Sequence, residues 1–395
     1  MSNTLTPSGL QSSAGLYGSC GVYQFDRNGA IFNPLDLNPY LLFDAESSMI
    51  GTLENPTLDL DPTKQESLDV ITATRAGTAT FVNLDGEIEI AQPNTVRVDS
   101  SLGYPAILVE PSSENLVAYS EDFSHSSWSK QDINVSSAPV AAPDGTMNAS
   151  HVVKTGSNGH LVTVNIGAAN THTSSIWART VSGSGTCIFT GNNGVISTVT
   201  EEWQRFEVAS TNSHMYAVNF RGTSTLTEIY IWGAQLETGS VATSYIPTSG
   251  GNTAARTRAA DDIVISGSAF TDFYNGSEGT FYVELIDKNI LDSTSHLYLH
   301  GGGNNLILYS NGNSANVANY DGVNFLQFSG IPSNQLIRMA LSYESSTKKL
   351  SVNGNTSSDS TYNGNYAGIS SLTLGTNLTG HYRRILFWPY SSDSL

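Results

Sequence analysis

The residues best suited to surface chemistry are gathered in the run His296-Leu297-Tyr298-Leu299-His300. A strand turns successive side chains to opposite faces. Period two therefore puts both leucines on one face and His296, Tyr298 and His300 on the other. Past the glycine-rich turn at 301–303, Ile307 and Tyr309 share one face, and Leu306 and Leu308 the opposite one. His and Tyr rings can stack on a sugar ring and hydrogen-bond its hydroxyls. His296, Tyr298, His300 and Tyr309 are thus a candidate glycan-binding face. The plainer reading is a half-buried face packed on a neighbouring domain. Arg383 and Arg384 adjoin on a strand, so period two exposes one of them.

Catalytic signatures are missing. There is no G-x-S-x-G, no H-E-x-x-H and no P-loop. The 8 histidines are scattered without metal-ligand spacing. Cys20 and Cys187 are the 2 cysteines, far apart and outside any C-x-x-C, and are expected to be free thiols.

The elements that must position these residues are strands. The 395 residues suggest two or three domains. Hydrophobic residues make up 39 %, enough for cores, while charged residues reach only 13 %, about half the usual share. Gly, Ser, Thr and Asn fill the difference, which suits short strands and many turns rather than long helices. The formal net charge of -18 makes nucleic acid and anionic membrane surfaces poor partners, because both need clustered Lys and Arg. The charge itself reads as a solubility device. The N-terminus has no basic region followed by an apolar one, so no secretory signal is expected, and no apolar run is long enough to span a bilayer.

Along the chain, residues 1–30 are polar, and 31–61 carry Phe32, Leu35, Leu37, Tyr40, Leu41, Leu42 and Phe43 between prolines. Those apolar residues are too many for a free tail. We read 1–58 as an anchoring or oligomerising segment. Residues 59–110 hold short alternating strands and an Asp85-Gly86 hairpin turn. Residues 111–247 show regular short strands punctuated by Pro143-Asp144-Gly145 and Asn192-Asn193-Gly194, the pattern of a sandwich or jelly roll. Trp177 and Trp203 fall within its strands, as core residues or as sugar platforms. Residues 248–262 are polar and Gly-rich and read as a linker. Residues 263–395 form a second sandwich, with tight turns at Asn311-Gly312 and Asn353-Gly354. The expected fold class is all-β, tandem jelly-roll/β-sandwich domains after an irregular N-terminal segment.

Several strings carry a family resemblance. They are Thr72 to Ala91 (TATRAGTATFVNLDGEIEIA), Asn94 to Asp99 (NTVRVD), Pro111 to Phe123 (PSSENLVAYSEDF) with Trp128, and Trp232 to Pro247 (WGAQLETGSVATSYIP) followed by Arg258-Ala259-Ala260-Asp261. Together they resemble a module of bacteriophage virion proteins of the tail fibre and tail spike type. The resemblance implies a carbohydrate-binding-module-like jelly roll over 111–247. The strings LIRMALSYESSTKKLSVNG (336–354), LTLGT (372–376) and GHYRRILFW (380–388) resemble concanavalin-A-like, laminin-G-like sandwiches. Such folds hold glycan on a sheet or at its edge loops. Glycanases of that class carry their carboxylates as E-x-D-x-x-E; Glu284 and Asp287 in VELID do not match, so a non-enzymatic protein is expected.

The resemblance also implies a structural Ca²⁺ near the first and last strands of the jelly roll. Glu121, Asp122, Gln235 and Glu237 are the nearest oxygen donors; the other reading is surface carboxylates without metal. It further implies a virion protein assembled in the host cytoplasm and released by lysis. The implied partners are other virion proteins through the N-terminal segment and host surface polysaccharide, and the implied assembly is a homotrimer. Three readings stay open: a receptor-binding tail component, a head fibre or capsid decoration with the sandwiches as spacers, and a polysaccharide depolymerase.

Overall fold

A computed structural model describes residues 55–392 apart from 164–170, 190–194, 211–213, 251–255, 291–293, 302–303, 312–315, 322–324, 360–365 and 367. Before residue 55 it describes only four two-residue strands within 17–32. The anchoring segment read over 1–58 therefore lies almost wholly outside the described residues, as does Cys20. Within them the regular secondary structure is nearly all strand. The two α-helices, Gln65–Asp69 and Ser268–Thr271, are single turns.

The larger sandwich has one sheet of eight strands and one of seven. The eight-stranded sheet is centred on Gly279–Asp287 and Gly380–Trp388, paired antiparallel. The seven-stranded sheet runs in the order Phe325–Phe328, Asn316–Tyr320, Asn304–Asn311, Thr294–Gly301, Ser371–Thr376, Asp262–Ser266, Thr72–Thr74. Alternate residues of each strand meet in the middle, as facing sheets require. Phe281, Val283 and Leu285 come from one side, and Leu297, Leu299, Leu372 and Leu374 from the other, all buried.

The jelly roll packs two five-stranded sheets. Its core includes Trp128, Leu161, Phe189, Val218, Phe220 and Ile231. It does not precede the larger sandwich; it is inserted into it. Ala106–Val109 is already a strand of the eight-stranded sheet, pairing Ile107 with Tyr382. Asp262–Ser266 opens the return, pairing Ile263 with Leu374. The described strands between them form the jelly roll and its neck. The neck is a two-stranded ladder of Ser113–Glu114 against Thr257–Arg258. Insertions are tolerated where the two chain ends lie side by side, and that ladder holds them so.

The expected division of 59–110 and 248–262 changes accordingly. Leu58–Leu60, Thr72–Thr74, Arg97–Asp99 and Ala106–Val109 are strands of the larger sandwich. What stands apart is the hairpin Ala79–Val82 with Ile88–Ala91, turned at Asp85-Gly86 with Gly86 at φ 84. It leans on the jelly roll: Thr80 donates to the Tyr245 carbonyl at 2.6 Å, and the Ile88 amide to Pro143 O at 2.8 Å. The stretch read as a linker ends in two strands and two buried charges, Arg258 and Asp261.

Those charges belong to a cluster at the junction. Asp261 pairs with Arg75 at 2.9 Å and with Arg97. Glu110 pairs with Arg97 at 2.8 Å and Arg258 at 3.6 Å. Ser244 of the jelly roll donates its amide and hydroxyl to Glu110, both at 2.6 Å. All five charged side chains are buried. Burial alone would push the Glu110 carboxyl up. The Arg258 and Arg97 guanidiniums, with the Ser244 hydrogen bonds, hold it well below the usual carboxylate range.

Candidate functional site

The seven-stranded sheet turns one face to the core and the other outward. On Thr294–Gly301, Leu297 and Leu299 are buried, while Tyr298 and His300 are half-buried on the outer face. Their rings stack, with centroids 4.9 Å apart and planes 20° apart. His300 Nε2 lies 3.0 Å from Ser371 Oγ on the next strand. On the other side, Ile307 is the direct partner of Tyr298, and Tyr309 follows it on the same face. Tyr320 lies opposite Ile307, and Phe325 opposite Tyr320. The last two rings stack at 4.6 Å and 23°. Burial, and then the neighbouring Tyr320, raise the Tyr309 hydroxyl above its ordinary pKa.

The result is a row, Phe325–Tyr320–Ile307–Tyr298–Thr373, one residue per strand across five adjacent strands. At the usual strand spacing it is about 19 Å long. Phe325 at one end is 57 % exposed. Rings in a row on a sheet offer flat apolar faces to a sugar, with Tyr hydroxyls and the His300 ring to reach its oxygens. Of the residues expected here, the structure brings together Tyr298, His300 and Tyr309. It adds Tyr320 and Phe325, which the register of neighbouring strands brings into line and which their own short strands, NVANY and FLQF, do not mark by alternation.

His296 is a correction. The pairing register slips between Ser295 and Leu297, a bulge that adds one residue to one strand and breaks the alternation. His296 points into the core with 0 % exposure. Its Nε2 is 2.9 Å from Asp287 Oδ2. Asp287 also accepts from the Thr294 hydroxyl at 3.1 Å, and Tyr382 donates its hydroxyl to the His296 carbonyl. His296 is a packed core residue, away from the aromatic row.

The four oxygen donors expected to hold calcium do not converge. Glu121 accepts from the Tyr245 hydroxyl at 2.9 Å and the Asn148 amide at 2.8 Å; burial raises its pKa. Asp122 closes its own turn, accepting from the Ser124 and His125 amides at 3.1 and 3.2 Å; the Ser124 hydroxyl, above all, keeps its pKa low. Gln235 and Glu237 are buried and bonded to each other at 2.6 Å. Glu237 also accepts from Ser113 at 2.6 Å and from the amide and hydroxyl of Thr243. Protein donors take the places that six to eight metal–oxygen contacts would need. Among the described residues, no group of three or more His, Cys, Asp or Glu is placed to hold a metal.

The remaining candidates are structural. Trp177 packs edge-on to Trp232 and Tyr245, with the Arg205 guanidinium 4.6 Å over its ring. Trp203 is half-buried and donates to Ala141 O at 2.8 Å. Arg384 binds Asp61 at 2.6 Å and Asp59 at 2.8 Å, while Arg383 lies 3.6 Å from Glu284. Both arginines are engaged, so the expected exposed one does not emerge. Glu284 is also held by Arg338 at 3.1 Å and by the Tyr282 hydroxyl at 2.7 Å.

No protein-family model matches the chain, and no curated protein matches it. Among solved structures, it is similar to domain 4 of AbnA, a GH43 extracellular arabinanase from Geobacillus stearothermophilus, in complex with arabinotriose. That match has 14 % identity, covers 34 % of this chain and 69 % of that one, and has a TM-score of 0.29. The CBM2 module of the evolved Dit of Lactobacillus casei BL23 phage J-1 matches at 10 % identity over 34 % of this chain and 71 % of that one, with a TM-score of 0.25. The binding domain of botulinum neurotoxin DC in complex with SialylT matches at 9 % identity over 37 % of this chain and 39 % of that one, with a TM-score of 0.26. Likenesses this distant carry no functional argument.

Proposed function

We propose that this chain is a non-enzymatic bacteriophage virion surface protein, a tail fibre or spike component. In this reading it binds host cell-surface glycan on the outer face of its seven-stranded sheet. The observation that carries the binding reading is the row of half-exposed rings, with Tyr298 stacked on His300 and Tyr320 on Phe325. An ordinary solvent-facing sheet surface carries Thr, Lys and Glu instead. The virion assignment rests on the strings between Thr72 and Asp261 that resemble phage virion modules. The N-terminal segment would attach the protein to other virion proteins, as a homotrimer.

The test is binding of the purified chain to host cells and to extracted surface polysaccharide, compared with Tyr298→Ala and Tyr320→Ala. Loss of a stacking ring should weaken binding about two- to tenfold, the scale of one aromatic contact. Equal binding by wild type and both variants sinks the assignment of the face.

A head fibre or decoration protein is the second reading. The buried charge junction favours it to this extent, because it makes the two sandwiches a stiff spacer. A label at the Asn353-Gly354 turn, imaged on intact particles, separates the two: tail label supports the first reading and head label the second.

A further inference from the structure

The geometry points to a second binding site, for an uncharged saccharide, in the cleft between the jelly roll and the larger sandwich. This cleft has a volume of about 710 Å³ and shares no residue with the aromatic row. Its size falls in the range of small-molecule sites. The hairpin tip at 83–86 forms one side and the turn at 99–103 another. Trp177, Arg205, Glu207 and Tyr245 come from the jelly roll, and Lys288 and His381 from the sandwich.

The walls carry the chemistry of a sugar site. Trp177 and Tyr245 are buried behind the wall, at 9 % and 3 % exposure, so the contacts left to a ligand are polar. Arg205 lies over the Trp177 ring and binds Glu207 at 3.3 Å and Ser175 Oγ at 2.8 Å. From the opposite wall, Lys288 comes within 4.0 Å of the same Glu207 oxygen and 3.3 Å of Ala242 O. Lys288 therefore has three donors set against two long contacts. A carboxylate flanked by a guanidinium and an ammonium offers acceptors and donors side by side, as vicinal hydroxyls require.

The charges of the lining set the ligand class. Glu110 is matched by Arg97 and Arg258, Asp99 faces His381 at 3.0 Å, and Glu207 faces both cleft cations. Asp85 at the hairpin tip adds a further acid. A carboxylated or sulfated glycan would meet no surplus of positive charge, whereas a neutral polyhydroxylated ligand loses nothing by its neutrality. The cleft is also preformed. The junction cluster fixes its walls, so little ordering is left for the ligand to supply. A saccharide seated here would touch both sandwiches at once, which no site on either alone could do.

The experiment uses the full chain carrying Tyr298→Ala and Tyr320→Ala, which disables the aromatic row. Saturation-transfer NMR is recorded with neutral oligosaccharides of glucose, galactose, rhamnose and N-acetylglucosamine, and with acidic oligogalacturonates. At least one neutral oligosaccharide should respond. Adding Glu207→Ala should weaken its binding about tenfold or more. Val241→Trp, which fills the cleft without removing a polar group, should do the same. Unchanged thermal unfolding certifies each variant, and Lys288→Ala replaces whichever fails that check. Silence of every neutral oligosaccharide overturns the site, as does a response from acidic ones alone, or one untouched by the cleft variants. Loss of host binding in the aromatic-row variant bears on the proposed function only, so the two ideas fail separately.

Discussion

Burial decides what each titratable residue can do in this chain. Glu110 is the clearest case, an acid enclosed with Arg97, Arg258 and Ser244. Its folded pKa is depressed from the ordinary 4.5. A depressed carboxyl contributes stability that is present above its unfolded pKa and is lost as pH falls through the acid range toward its folded value. The melting temperature should therefore fall steadily below pH 4.5. Glu110→Gln should lose about 3–5 kcal/mol of stability at pH 7, as a broken buried pair does, and so melt lower and show a shallower acid slope. Thermal melts from pH 7 to pH 3 check both, and parallel slopes in the two proteins would remove Glu110 from the account. Residue-level legibility was uneven for the same reason. Alternation correctly set Tyr298 and His300 on one face, because the strand is regular there. It misplaced His296, because a bulge depends on the partner strand and leaves no mark in its own residues.

At the scale of elements, the neck joins the inserted jelly roll to its host. Ser113–Glu114 and Thr257–Arg258 make only a two-residue ladder, too short to hold two sandwiches in one arrangement. The charge cluster completes the joint, with Asp261 receiving Arg75, Arg97 and the Glu110 amide. Asp261 and Asp262 are neighbours with opposite fates, one buried and one exposed. Asp261→Ala takes a carboxylate partner from each of two buried guanidiniums, leaving Arg97 with Glu110 and Arg75 with backbone carbonyls, and should cost about 3–5 kcal/mol. Asp262→Ala should stay within about 0.5 kcal/mol, as an exposed change does. Denaturant unfolding of the two variants reads the difference, and similar costs would mean the junction is not cemented by charge. This joint was hidden in the sequence. TSGGNTAARTRAADD has the composition of a linker, and only its partners, more than 140 residues away, show that its charges are inside. The hairpin turns, by contrast, were legible. Asn353 at φ 50 and Gly354 at φ 85 take the left-handed conformations their residue types favour.

Across the whole molecule, nesting governs the order of folding. The larger sandwich needs strands from both sides of the insertion: Leu60 pairs with Ile385, and Arg384 bonds Asp59 across 325 residues. Contacts that distant form late, after nearer ones have met their smaller closure cost. The jelly roll has no such dependence, since all ten strands of its two sheets lie between Trp128 and Thr238. A chain ending at residue 260 should therefore contain a folded jelly roll beside unsatisfied strands. Thr72–Thr74 would lack Asp262–Ser266, Ala106–Val109 would lack Gly380–Trp388, and Arg75 and Arg97 would lack Asp261. Limited proteolysis of this fragment should cut within 55–110 and spare a core near 113–258. The same protease should leave both regions intact in the full chain. Equal protection of 55–110 in the fragment would mean that those strands find other partners and that the insertion is not the order in which the protein is built. During synthesis, the same argument has the inserted module fold first and its host close around the neck only when the last strand emerges.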